Sequence, residues 1–332
     1  MEQRRKNLTQ LFIPICLETL LYMLSGMVDT LMLSSVNDQA VGAVGTANTY
    51  IGIFIIMFSV ISSGMVAVMT QNIGAGRPGV AYQARQLGLA FNAVLGIIMS
   101  LFLSLGAGPI LSGVGVADAL MQPAKTYLQI VGGFCILNAL IPICSSYLRA
   151  FGFSKEPLYA SIIGNVINFC LNAFFLFVLH KGVAGVATAT VISRIINLVI
   201  VVLLGAVLVK AKQHPERESN RAVMGQIIRI GLPSACETAI YNVSMTLVIR
   251  FLNQMDAQGL NVTARSYTMQ ITNFSYCVGA ALAQANAIMT GWHIGAKEYD
   301  ACDRGTRKAA IIGVIVAVIL ETMFALCSGW IM

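Results

Sequence analysis

The sequence predicts an all-α, polytopic membrane bundle of about nine spans, on three observations. First, the 332-residue chain is 57% hydrophobic, only 11% charged, and has a mean hydropathy of +0.77. A soluble domain carries about 25% charged residues, so this chain cannot cover a globule with groups that hold water. Second, its apolar residues come in long blocks separated by short basic or Gly/Pro-containing stretches. About 20 apolar residues at 1.5 Å each cross a ~30 Å hydrocarbon core, whereas an outer-membrane barrel would alternate apolar and polar residues over ~10-residue segments. Third, the basic residues alternate in side. With the N-terminus placed inside, sixteen of the 21 Lys and Arg residues fall on the inner side. Four (Lys125, Lys181, Arg250 and Arg265) fall outside, and Arg194 lies within a span. Cytoplasmic loops collect basic charge in this way, which also accounts for the net charge of +7 without a nucleic-acid partner.

The predicted helices are 10–33, 42–70, 86–110, 126–149, 158–179, 184–209, 225–252, 264–290 and 309–331. The first follows Arg4-Arg5-Lys6. Its apolar stretch is too long for a signal peptide, holds Pro14, Glu18 and Asp29, and lacks a small-x-small cleavage site, so it reads as a retained span. The polar stretch 210–224 separates the sixth helix from the seventh. The chain thus divides into a six-helix N-lobe (1–210), a cytoplasmic linker (211–224) and a three-helix partial C-lobe (225–332). The eight cysteines mostly stand singly in apolar runs, without C-x-x-C or zinc spacing, and read as small buried residues.

An internal repeat supports this division. At an offset of 219, Pro14, Glu18, Thr19, Tyr22 and Ser25 recur as Pro233, Glu237, Thr238, Tyr241 and Ser244. Met69-Thr70 and Ile73-Gly74-Ala75 recur as Met289-Thr290 and Ile294-Gly295-Ala296. Because six helices is an even number, both copies enter the membrane from the same side and the repeat is parallel, a transporter plan with the site between the halves. Position 332 corresponds to position 113 of the first copy, so the second holds three of six expected helices. The expectation is a C-terminally truncated form of a twelve-helix protein.

Polar residues form stripes within the predicted spans. Glu18, Tyr22, Ser25 and Asp29 are spaced i, i+4, i+7, i+11, on one helical face. Ser161, Asn165, Asn168 and Asn172 repeat that spacing in span 5; Thr190, Arg194 and Asn197 follow in span 6. Span 7 carries Glu237, Tyr241 and Ser244, and span 8 carries Gln270, Asn273 and Gln284. Hydroxyls and amides commonly bond between membrane helices, but an intramembrane carboxyl is by default functional. Removal from water favours a carboxyl's neutral form, so Asp29 or Glu237 can take up and release a proton as cavity hydration changes. A carboxylate among amide and hydroxyl oxygens also suits sodium, and the two ions stay open at this point. Arg194 reads chiefly as a structural counter-charge to Asp29 or Glu18. There is no H-E-x-x-H, P-loop or G-x-S-x-G, and His180, His214 and His293 lie in loops or at helix ends, so no enzyme is predicted.

Taken in order, several short motifs resemble those of the multidrug and toxic compound extrusion (MATE) transporters. These are Pro14 with Met27-Val28-Asp29-Thr30, Gln71-x-x-Gly74-Ala75-Gly76, and Leu148-Arg149-Ala150-x-Gly152 before Lys155-x-Pro157. Gly164-Asn165, Asn168 and Leu171-Asn172 follow, then Gly182-Val183-Ala184-Gly185 with Ala187-Thr188-Ala189-Thr190. The resemblance implies two six-helix lobes and a secondary active antiporter that exports organic cations or drugs in exchange for H+ or Na+, with no other cofactor. It places a cation site at Asp29, Asn168, Asn172 and Thr190, with Glu237 and Glu18 as further coupling candidates. Asn172 stands where many relatives carry a second aspartate, which leaves Asp29 to supply the charge alone. The expected setting is a prokaryotic plasma membrane, N-terminus cytoplasmic, with a monomeric complete protein. The alternatives are a lipid-linked saccharide flippase of the same superfamily, for which Arg194 is the one basic candidate, and a non-transporting remnant.

Overall fold

The computed structural model describes residues 6–35, 38–113, 116, 118–209, 216–255 and 260–331. Eleven α-helices follow one another, and no strand occurs among the described residues. They are α1 (Leu8–Ser34), α2 (Asp38–Gly74), α3 (Pro78–Leu105), α4 (Ala107–Gly113), α5 (Asp118–Tyr127), α6 (Ile136–Ala150), α7 (Lys155–Ala173), α8 (Gly182–Leu208), α9 (Asn220–Met255), α10 (Leu260–Gly295) and α11 (Tyr299–Ile331). Each of the nine predicted intervals falls on one or more of these helices.

Local chemistry sets several ends. Asn7 caps α1, its backbone N–H reaching the Gln10 side chain at 3.3 Å. Pro78 opens α3, where its missing N–H costs nothing. Helix α2 ends in a left-handed turn at Gly76 (φ +74°), and α10 ends in the same turn at Lys297 (φ +61°).

The fourth predicted span is corrected from one straight helix to a broken one. A π-helical turn, Leu128–Gly132, follows α5, and the chain then bends by 42° into α6. Gly132 lies so close to α3 that an added Cβ would stand 3.0 Å from the Leu103 Cβ. The third predicted span, 86–110, starts earlier and is interrupted near its end, since α3 runs Pro78–Leu105 and α4 starts anew after Gly106.

Four helices of the described residues are long and apolar enough to cross a membrane: Leu8–Ser34, Pro78–Leu105, Lys155–Val178 and Gly182–Leu208. The bent α5–α6 pair makes a fifth. The expected count of about nine is thus supported for four or five. Helices α2, α9, α10 and α11 are 33 to 37 residues long, but some of their side chains lie outside the described residues. On α8, Val199, Leu203 and Val207 form an exposed apolar stripe at i, i+4, i+8, and on α3 Val94, Ile98 and Leu101 form one at i, i+4, i+7. A lipid solvent accepts such faces without penalty. The chain is a multi-pass membrane protein.

Two cores hold the bundle. One, at the Lys/Arg-rich end, joins Leu11, Met65, Met69, Ile143 and Leu148 to Val223, Ile227, Ala285 and Trp292, from helices on both sides of the linker. The other, built from Ala47, Phe58, Leu103, Leu111, Leu128 and Val186, draws only on helices before the linker. Helix α2 is central, touching α3, α6, α9 and α10. Glycines make its closest approaches: a Cβ at Gly64 or Gly231 would collide with the facing backbone of α9 or α2, and one at Gly74 or Gly295 would do so between α2 and α10. Away from this end, Tyr22, Leu31, Tyr241, Phe251 and Tyr276 are exposed.

Candidate functional site

The predicted stripes of α1 and α7 meet as one polar seam. Near the basic end, Ser161 Oγ donates to Glu18 Oε1 at 3.4 Å. One turn on, Asn165 Nδ2 donates to the Leu21 carbonyl at 3.2 Å. At the far end, Asn172 Nδ2 donates to Asp29 Oδ1 at 2.5 Å. The partners differ by a near-constant 143 or 144 positions, as parallel helices in register require. Without these bonds each amide would lie unpaired in an apolar interior, at a cost of ~1–3 kcal/mol.

Asp29 is half-buried; Asn168 and Asn172 are buried. Asn172 also donates to Asn168 Oδ1 at 3.3 Å, while its own Oδ1 is buried without a hydrogen-bond partner. Thr190 is buried, but its hydroxyl donates to the Val186 carbonyl of its own helix at 2.9 Å, so the structure does not bring it onto Asp29. No ion pair joins Asp29 to Arg194 among the described residues, although the guanidinium is near enough to act on the carboxylate electrostatically. Sequence reasoning missed Tyr127, buried at the α5 end, bonded to Asn48 and within the electrostatic reach of Asp29 and Arg194. A tyrosine alone at a helix end carried no stripe to reveal it.

Glu18 overturns one assignment and completes another. Its partner is not Arg194 but Arg149, whose Nη2 donates to Glu18 Oε2 at 2.5 Å. Arg149, counted on the inner side as the last residue of the predicted helix 126–149, is a buried member of α6, 7% exposed. From sequence such an arginine reads as a cation facing the inner water; a carboxylate one helix away draws it inside. Glu237 is exposed on α9 and has no hydrogen-bond partner among the described residues, and Tyr241 and Ser244 beside it are also exposed. Gln284 meets Arg149, and the Gln270 side chain lies outside the described residues. No group of three His, Cys, Asp or Glu side chains that could hold a metal occurs among the described residues.

The family model described as MatE matches residues 14–174 and 233–332, well over half of the chain. The chain belongs to the MATE family. A transporter of Bacillus subtilis (strain 168), YisQ, is 33% identical over 321 residues, covering 94% of this chain and 70% of YisQ. The probable multidrug resistance protein NorM of Thermotoga maritima is 24% identical, with 87% of this chain and 65% of NorM covered. Among solved structures, a MATE protein in its bent conformation superposes with a TM-score of 0.88 at 17% identity, over 98% of this chain and 73% of that one. A transporter of the wider MOP superfamily from Pyrococcus furiosus gives 0.88 at 18% identity, over 98% and 74%. The MATE fold therefore extends over almost all of this chain, which spans 65% to 74% of these relatives' lengths. It is a secondary transporter by family, and not an enzyme.

Proposed function

We propose that this MATE chain serves a cation-coupled antiporter that exports organic cations or drugs in exchange for H+ or Na+, with Asp29 as the coupling carboxylate. The observation that carries this reading is the Asp29–Asn172 contact at 2.5 Å, at the end of the seam away from the basic residues. Beside the carboxylate, the partnerless Asn172 Oδ1 offers a second oxygen to an incoming cation, and Asn168 Oδ1 a third. Thr190 is a neighbouring hydroxyl in this reading, one rotamer from its helix bond. Glu237 is a second coupling candidate and Glu18 a supporting one.

The reading includes nine spans in two parallel repeats, 1–210 and 225–332, joined by the linker 211–224. It is supported by the two stretches matched by the family model, which begin at Pro14 and Pro233, 219 residues apart. The shared left-handed turns at Gly76 and Lys297 support it further. The Lys/Arg-rich closed end faces the cytoplasm of a prokaryotic plasma membrane, and the opposite end faces out. Substrate enters the cleft between the repeats, where Tyr22, Tyr241 and Tyr276 present aromatic faces suited to lipophilic cations. The test is ethidium efflux from expressing cells, with Asp29 intact and as Asp29→Asn, under collapsed proton and sodium gradients in turn. Efflux that survives Asp29→Asn overturns the proposal, and the gradient whose collapse stops efflux names the ion.

A further inference from the structure

Arg149 holds two partners at once. Its Nη2 pairs with Glu18 of α1, and its Nη1 donates to Gln284 Oε1 of α10 at 2.8 Å. The first partner precedes the linker, as Arg149 itself does; the second follows it. The next residue repeats the arrangement, since the Ala150 carbonyl accepts from Trp292 Nε1 at 2.9 Å. Gln284 and Trp292 are eight residues apart, just over two turns, and so share one face of α10. Both contacts lie at the closed, basic end, beside the glycine contacts of α2 with α10.

From this geometry we infer that Arg149 and Gln284 form a polar latch that sets how often the basic end of the bundle opens. The reason lies in which contacts are charged. The ion pair stays on one side of the division, between α6 and α1, and α10 contributes only neutral donors and acceptors to it, the Gln284 amide and the Trp292 indole. If α10 withdraws, Arg149 keeps Glu18, so no buried charge is stranded; stranding one would cost several kcal/mol. Opening forfeits one charge-assisted hydrogen bond and one indole bond, both replaceable by water entering the gap. Such a contact holds the closed form without trapping it. A carboxylate at position 284 would require an ion pair to be split across the division at every opening. The inference rests on the antiporter reading above for its purpose, but not for its test.

The test measures opening directly. Thr70 is fully buried on α2, against Gly291 of α10. In the full chain carrying Thr70→Cys, a membrane-impermeant maleimide applied to inside-out vesicles labels residue 70 only when the basic end opens, and peptide mass spectrometry assigns the label to that position. Added Gln284→Leu should raise the labelling rate about tenfold, the population change expected from losing one hydrogen bond to a charged group. Added Gln284→Glu should lower it below the parent rate. These opposite signs separate a latch from general loosening of the fold, which would speed both. A Leu variant labelled no faster than the parent, or a Glu variant labelled as fast as the parent, overturns the inference. If Gln284→Leu fails to give a monodisperse protein, the Gln284→Glu arm decides alone. Transport is not read, so failure of the ethidium experiment leaves this result intact.

Discussion

Helices α1 and α9 carry the same Pro, Glu, Thr, Tyr and Ser 219 positions apart, and the molecule surrounds them differently. On α1, Glu18 sits against α7 and α6, 14% exposed at its side chain and ion-paired with Arg149. On α9, Glu237 is exposed and without a described partner. Thr19 and Thr238 behave alike, each donating to the carbonyl four residues back, because that bond is made within the helix. The motif therefore fixes what a helix does to itself. What its carboxylate does is fixed by its neighbours, and α6 and α7 supply partners to Glu18 that no described helix supplies to Glu237.

The largest effect expected from this comparison is on transport. Asp29→Asn should abolish ethidium efflux, whereas Glu237→Gln should leave a measurable fraction; equal losses would break the distinction between the helices. Next is stability. Arg149→Met strands the Glu18 carboxylate and should cost about 3–5 kcal/mol, seen as a marked fall in the thermal midpoint of the detergent-solubilised protein. Most of that loss should return in the double variant Arg149→Met with Glu18→Gln, which leaves no charge to strand. A smaller cost, about 1–3 kcal/mol, is expected from Gly295→Ala, because its new methyl meets the Gln71 backbone and α2 must shift. The smallest is Glu237→Gln on stability, within about 0.5 kcal/mol in the same assay; a large fall would place Glu237 in a buried network like that of Glu18.

The polar seam was legible because its residues recur at helical spacing on two helices, and i, i+4, i+7, i+11 stripes have to find each other in an apolar medium. Asp29 and Asn172 were both singled out for that reason. Arg149's role was not, since a cation in the last turn of a helix also suits the inner water, and only its pairing with Glu18 decides. The break in α5–α6 escaped for a related reason: Gly132 and Gly133 sit inside an unbroken apolar run, and their effect depends on how closely α3 approaches. Tyr127 is bound by contacts distant in sequence. Periodicity reports which face of a helix is polar; it does not report which neighbour stands opposite.

The segment between the two matched stretches is fastened rather than slack at its downstream end. Gln83 of α3 exchanges two hydrogen bonds with the backbone of Glu218, at 2.7 and 3.0 Å, and also reaches Asn220 at 2.6 Å. The Glu218 carboxylate pairs with Arg77, and Glu216 accepts from the Gly79 N–H, whose free amide at the head of α3 favours an acid. The first turn of α9 is thereby docked by side chains and not by covalent continuity. A chain severed between 210 and 215 would still present Glu216, Glu218 and Asn220 to the same groove, so two separately synthesised fragments carry the means to reassemble in the correct register.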